Sequence, residues 1–135
     1  MPKRRFLFWI RSYLPAMMLA AFFGTIVDHY FVSKDLYYFP IRPFPHLFSI
    51  NIGFSLVVLP IFVFIFLRLM SVVNKWGRLG LILFLSLLAP ILERLAEACG
   101  LFIHSNDWKH LYSFFGYLVF LTIIYRIYLW TNPRR

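Results

Sequence analysis

Residues 79–97 read LGLILFLSLLAPILERLAE, and this stretch decides the fold class. Its first fourteen residues carry no charge, and Glu93, Arg94 and Glu97 then follow in quick succession. Fourteen helical residues extend for about 21 Å, which falls short of the roughly 30 Å hydrocarbon core of a bilayer. A helix that crosses the membrane must therefore continue through Glu93 and Glu97. The pattern predicts charges that are held inside the outer part of a membrane span.

The composition of the chain also indicates a membrane protein. Of its 135 residues, 61% are hydrophobic and 14% are charged, whereas a soluble domain has about a quarter of its residues charged. A soluble fold would leave much of this Phe, Leu and Ile on its surface, but a lipid solvent accommodates such side chains. We therefore predict an all-α fold, an integral membrane four-helix bundle that forms a single transmembrane domain over residues 1–135.

Four apolar segments come close to the length that a membrane-spanning helix needs, which is about 20 residues. They cover about residues 13–32, 47–68, 79–101 and 111–130. A proline-rich outer loop, residues 33–46, connects the first two spans. Pro40, Pro43 and Pro45 disfavour a helix there and favour extended chain. We expect this loop either to lie on the outer membrane surface or to fold over the bundle.

The distribution of Lys and Arg predicts the orientation of the bundle. With a cytoplasmic N-terminus, ten of the fourteen basic residues fall on the inner side, and Lys34, Arg42, Arg94 and Lys109 fall on the outer side. An excess of Lys and Arg in the cytoplasmic loops is typical of multi-pass membrane proteins. We therefore expect both termini to be cytoplasmic.

Several other functional classes are excluded by the sequence. The net charge of +9 resembles that of a nucleic-acid-binding protein, but the basic residues lie at the ends of apolar runs and form no polar stripe that would track phosphates. The single Cys99 excludes an intrachain disulfide and a cysteine-based metal motif. The segment HSNDWKH, residues 104–110, contains the residue types of a nucleophilic triad, but they crowd into one loop. The sequence contains no HExxH, CxxC or glycine-rich phosphate loop.

All acidic residues and all histidines fall on the predicted outer side: Asp28, Asp35, Glu93, Glu97, Asp107, His29, His46, His104 and His110. Glu93, Glu97 and His104 share one helix face if the third helix continues through Gly100. Asp28 and His29 end the first span at a similar depth, and His110 opens the fourth span. We therefore predict a ligand or proton site from Glu93, Arg94, Glu97, Asp28, His29, His104 and His110.

Three interpretations of these residues remain open. In the first, Arg94 pairs with Glu97 at i+3 and Glu93 pairs with a neighbouring helix, so that the charges are interhelical contacts. In the second, the residues bind a ligand or transfer protons. We predict no cofactor, and a divalent metal, with Glu97, His104 and His29 as ligands, is the alternative that belongs to this interpretation. In the third, such a metal supports hydrolysis. We assign no catalytic residue.

Three stretches resemble a group of small multi-pass membrane proteins from Gram-positive spore-forming bacteria. They read DHYFVSKDLYYF (28–39), FPIRPFPHLFSINIGF (39–54) and LERLAEACGLFIHSNDWKHLYSFFGY (92–117). The resemblance extends over most of the chain between Thr25 and Tyr117. It implies a bacterial plasma-membrane protein of about four helices. It implies no activity, so it transfers no functional residues.

From these observations we expect a non-enzymatic scaffold or accessory protein whose outer polar cluster binds a partner, a lipid head group or an ion. The alternative is a small oligomeric transporter in which Glu93 or Glu97 is the proton-coupled group. A membrane-embedded metal hydrolase is the third reading. The expected partners are the lipid bilayer and either a second copy of the chain or another membrane protein.

Overall fold

The computed structural model describes the backbone of residues 2–133 and is mostly helical. Its helices are α1 (Pro2–Ser33), α2 (Leu59–Val72), α3 (Lys75–Ala98) and α4 (His110–Thr131), and a π-helical turn, Phe54–Val58, leads directly into α2. Four segments are long and apolar enough to cross a membrane: Ile10–Ser33, Phe54–Val72, Lys75–Ala98 and His110–Thr131. The prediction of a mainly helical chain with four such helices is confirmed.

The helices pack in a definite order. Helix α1 lies against α2 and α4, helix α4 lies against α3, and α2 touches α3 at few points. The buried core comes from the middle of α1 (residues 13–20), from residues 63–70 of α2, from Ile82 of α3 and from the second half of α4. Its fully buried members include Tyr13, Ala16, Ala20, Val63, Phe66, Leu67, Leu121 and Ile124. We call this half of the bundle the apolar half, because its interior is closed by packed apolar side chains.

Helix α3 ends earlier than the predicted span. It ends at Ala98, because Gly100 adopts a left-handed conformation with φ of 78°. The Leu101 N–H then donates to the Ala96 carbonyl over 2.9 Å. This is the closing turn that glycine favours at helix C-termini, since it has no side chain to clash. His104 therefore does not lie on the face of α3, and it approaches the helix from a separate strand.

The second helix begins later than the predicted residue 47. Residues 47–51 form turns and bends, and the Asn51 side-chain oxygen accepts from the Phe54 N–H over 3.1 Å. The Leu59 N–H then donates to the Phe54 carbonyl, five residues back. Pro60 has no N–H for an ordinary helical bond, which is one reason why the chain widens into a π-turn at this point. The π-turn holds Ser55 in the interior, fully buried.

The proline-rich loop folds over one end of the bundle, which is one of the two placements expected for it. Its strand β1 (Tyr37–Tyr38) pairs in antiparallel fashion with β2 (Ile103–His104), and Tyr37 lies opposite His104. Tyr37, Phe102 and Trp108 are buried together beneath this pair. We call this end of the bundle the loop end.

Candidate functional site

Glu93 lies at the centre of a polar cluster at the loop end. Its Oε1 accepts from the Trp108 Nε1–H over 2.8 Å and lies 2.6 Å from His110 Nδ1. Its Oε2 accepts from the Ser113 hydroxyl. The Glu93 side chain is 15% exposed, and a carboxylate with so little access to water is stable when its oxygens are paired. Both oxygens of Glu93 are paired here.

Glu97 lies one turn further along α3 and bridges two imidazoles. Its Oε2 contacts His104 Nδ1, and its Oε1 lies 3.1 Å from His110 Nε2. The His104 and His110 rings meet edge to face, with their centroids 4.7 Å apart. The Glu97 and His104 side chains are 29% and 28% exposed. This side of the cluster is therefore open to an arriving ligand.

Asp28, near the end of α1, contributes the third carboxylate. It accepts from the Tyr37 hydroxyl over 2.5 Å and from the Ser55 hydroxyl over 3.4 Å. The Tyr37 ring contacts the ring of Trp108, the donor to Glu93, with their centroids 4.9 Å apart, so Asp28 lies at the same end of the bundle as Glu93. Burial, and then the adjacent Asp28, raise the pKa of Tyr37 above that of a free tyrosine. The phenol therefore keeps its proton and remains a donor to Asp28.

Two of the residues predicted for the site lie outside it. Arg94 and His29 are both exposed. Among the side chains that the structure describes, Glu93 and Glu97 contact histidine nitrogens, and the Arg94–Glu97 pair expected from the i+3 spacing is not formed. The Glu97 carboxylate is turned instead towards His104 and His110, while Arg94 lies on the outer flank of the helix. The rotation of about 100° between successive helix residues separates His29 from Asp28.

Four residues that donate hydrogen bonds to Asp28 or Glu93 were not predicted from the sequence: Tyr37, Ser55, Trp108 and Ser113. Ser113 follows His110 by three residues, so the helical spacing was a usable signal. Ser55 lies in an apolar run, and Trp108 fits the aromatic belt at a membrane interface. No local pattern distinguishes these two residues from ordinary packing and interface residues.

Polar groups continue deeper along the same face of α3. Ser86 precedes Glu93 by two helical turns and is fully buried. Its hydroxyl has no hydrogen-bond partner within the described part of the chain. Pro90 has no N–H, so the Ser86 carbonyl also lacks its usual helical donor. The Ser86 hydroxyl and carbonyl are therefore polar groups on the inward side of α3, separated from Glu93 by Ala89 and Pro90.

We define the loop-end cluster as Asp28, Glu93, Glu97, His104 and His110. Its three carboxylates are accompanied by two imidazoles, and its ion pairs, among the described residues, involve neither Lys nor Arg. Carboxylates that share a poorly hydrated site repel each other unless positive charge compensates them. Protonated imidazoles or a bound cation would supply that charge.

Three members of the loop-end cluster also have the arrangement of metal ligands. Glu97, His104 and His110 each offer one donor atom, and these three atoms lie within 4.8 Å of one another. Carboxylate and imidazole groups together are suited to zinc and related divalent metals. His110 takes the place that the sequence interpretation gave to His29.

Comparison of the chain with protein-family models, curated proteins and solved structures gives no match. The fold and the site therefore describe the class of protein by its physical features alone. The chain has four helices able to span a membrane, and a carboxylate–imidazole cluster lies at one end of their bundle.

Proposed function

We propose that this chain is a non-enzymatic, multi-pass protein of a bacterial plasma membrane that binds a cation at its loop-end cluster. One observation carries the proposal. Three carboxylates gather at one end of the bundle, and Arg94, the nearest basic residue along α3, is exposed instead of neutralising them. Placing acidic groups together in a partly dry site is costly, and proteins maintain such groups mainly where they perform a function.

The exposure of the cluster supports binding over a purely structural contact. An interhelical contact that only stabilises the bundle would be expected to exclude water on all sides. Instead, Glu97 and His104 remain nearly one-third exposed and face each other at the surface. The buried part of the cluster, around Glu93, supports this open part from beneath.

The packing of the apolar half supports binding over transport through the interior of a single bundle. A transport path needs polar or hydrated groups through the whole thickness of the membrane. Beyond the cluster, the interior of the bundle contains Phe66, Leu67, Met70, Leu121 and Ile124, each at most 1% exposed. This packing leaves a ligand at the cluster with access from the loop end.

In the proposed orientation the loop end faces outward, and the single cysteine reports on it. Cys99 is exposed beside the cluster. We expect a membrane-impermeant maleimide to label Cys99 in intact cells. In a Cys99→Ser background, Lys75→Cys places a thiol at the opposite end of α3 and should be labelled only after permeabilisation. The reverse pattern would overturn the orientation.

Cation binding should stabilise the purified protein. A ligand present at 100 times its dissociation constant adds about 2.7 kcal/mol to the free energy of unfolding. We expect at least one of zinc, magnesium, calcium or spermidine to raise the melting temperature in detergent by several degrees over a chelator-treated sample. Glu97→Gln should abolish the rise, because it removes the most accessible carboxylate.

Arg94→Gln is the matched control for this measurement, since Arg94 lies on the same helix but is turned away from the cluster. It should retain the full rise in melting temperature. The proposal fails if none of the four cations stabilises the wild-type protein, or if Glu97→Gln responds as strongly as Arg94→Gln.

A further inference from the structure

Building on the proposed function, we infer that the cation is a divalent transition metal of the zinc class. Its ligands are Glu97, His104 and the Nε2 atom of His110. Glu93 is a positioning residue that holds His110 by its other nitrogen. The inference rests on the contacts of His110, the support of Glu93, the spacing of the donor atoms and the chemistry of the ligand set.

His110 is the residue that carries the argument. Its Nδ1 lies 2.6 Å from a Glu93 oxygen, and its Nε2 lies 3.1 Å from a Glu97 oxygen. A neutral imidazole has one N–H, so it can donate to only one of these carboxylates. A doubly protonated imidazole would satisfy both carboxylates, and so would a metal at Nε2, because Nδ1–H still donates to Glu93 while Nε2 and Glu97 bind the same ion. The metal is favoured because Glu97 and His104 each offer a further donor atom close to His110.

Glu93 has the contacts of a residue that orients a metal ligand. A histidine that binds a metal usually donates its other N–H to a carboxylate or carbonyl, which fixes the tautomer and the ring orientation. Glu93 accepts from His110 in this way, and the Trp108 and Ser113 donors hold the carboxylate in place. Glu93 is only 15% exposed, whereas Glu97 is 29% exposed. The inner carboxylate, Glu93, thus orients His110, and the outer one, Glu97, is available to bind the metal.

The distances allow a metal after a small movement. In a tetrahedral site with bonds near 2.1 Å, the donor atoms are about 3.4 Å apart. The three donor atoms here lie within 4.8 Å of one another. His104 is on β2, in the short loop between α3 and α4. Rotation of the partly exposed His104 side chain would bring its donor atom closer to those of Glu97 and His110, while α3 and α4 stay in place.

The ligand set selects the class of metal. Magnesium and calcium prefer sites made entirely of oxygen ligands, whereas imidazole suits zinc and neighbouring transition metals. Two imidazoles and one carboxylate leave a fourth coordination position for water or for a ligand from outside. That position would face the open side of the cluster, beside Glu97 and His104.

The test is zinc binding by the full-length protein in detergent, measured by titration calorimetry and by elemental analysis after chelator treatment. All variants carry Cys99→Ser, so that the exposed thiol does not bind zinc. We expect about one zinc ion per chain. Glu93→Gln should weaken binding by about 10- to 100-fold, the usual effect of losing a residue that orients a metal ligand. His29→Gln, at an exposed histidine outside the cluster, should have no effect.

Two substitutions at His104 separate a metal ligand from a structural hydrogen-bond donor. His104→Gln keeps a donor for Glu97 but removes the zinc ligand. His104→Cys removes that donor but supplies a thiolate, which binds zinc well. A ligand role predicts that the cysteine variant retains one zinc per chain and the glutamine variant loses it. A structural role predicts that the glutamine variant is the better folded and that neither substitution changes zinc binding.

Failure of the metal assignment can be distinguished from failure of the proposed cation binding. Absence of zinc binding by wild type overturns the metal assignment, and so does binding that survives both His104→Gln and His110→Gln. If magnesium, calcium or spermidine still stabilises the protein in a manner that depends on Glu97, cation binding stands without the metal. If no cation does so, both fail.

Discussion

Replacing Glu93 by alanine is expected to lower the free energy of unfolding by about 3 kcal/mol or more, because several buried donors lose their acceptor and each one left unsatisfied costs about 1–3 kcal/mol. The substitution leaves the Trp108 indole N–H and the Ser113 hydroxyl without their acceptor. It also leaves His110 with Glu97 as its one remaining carboxylate contact among the described residues. Reversible unfolding in detergent micelles measures the change.

Two matched variants show whether the loss of stability comes from the lost Glu93 contacts. Glu93→Gln keeps an acceptor oxygen and should lose less stability than Glu93→Ala. Arg94→Ala alters the adjacent, exposed residue, and surface substitutions usually change stability by no more than about 0.5 kcal/mol. If Glu93→Ala unfolds at the same denaturant concentration as Arg94→Ala, the cluster does not hold the loop end together.

Phe66→Ala is expected to lower the free energy of unfolding by about 3 kcal/mol, the lower end of the range for such substitutions in protein cores. Phe66 is 0% exposed in the apolar half. Lipid is as apolar as the core, so the transfer term is small in a membrane and the cost is mainly lost packing contacts. Unfolding in detergent, monitored by circular dichroism, measures it.

Ile65→Ala is the matched control, because Ile65 is the preceding residue of α2 and is 52% exposed. In a membrane this side chain would contact lipid in both the folded and the unfolded state, so its truncation should cost far less. Equal effects of the two substitutions would contradict the packing of α2 against α1. A larger effect of Ile65→Ala would indicate that this face packs against another protein.

The two ends of the bundle differ in what their side chains do. The apolar half stabilises the helix arrangement through close packing around Phe66 and Leu121. The loop end keeps its acidic groups in a partly exposed site, with β1 and β2 closing over it. The packing of the apolar half would offset the cost of holding acidic groups at the loop end. Ligand sites commonly lower the stability of a protein in this way.

Much of the helical framework followed from local patterns. The uncharged run at residues 79–92 predicted a helix that continues into its own charges, and α3 does extend through Glu93 and Glu97 to Ala98. The helical spacing of Glu93 and Glu97 placed both carboxylates on one face. Local patterns were sufficient here, because helix periodicity and the length of an apolar run act within one segment.

The predictions that depended on chain geometry were less accurate. Gly100 was a visible signal for a helix end, yet the expected common face of Glu97 and His104 required the helix to continue through it. The structure brings His104 to Glu97 by another route, through a left-handed turn and β2. The helical spacing also indicated an Arg94–Glu97 pair. Spacing within α3 does not show that His104 and His110 lie beside Glu97, because these residues come from β2 and α4.

The sequence by itself determined the class of the molecule: four apolar helices, a proline-rich connection and a set of acidic and histidine residues assigned to one side. These features depend on composition and short-range periodicity, which the chain carries in every conformation. Tertiary structure alone decided that His29 lies outside the site, and that Tyr37, Ser55, Trp108 and Ser113 satisfy the carboxylates. Those pairings join residues that are distant in sequence, so they exist only once α1, α3 and α4 are packed and the loop has closed over them.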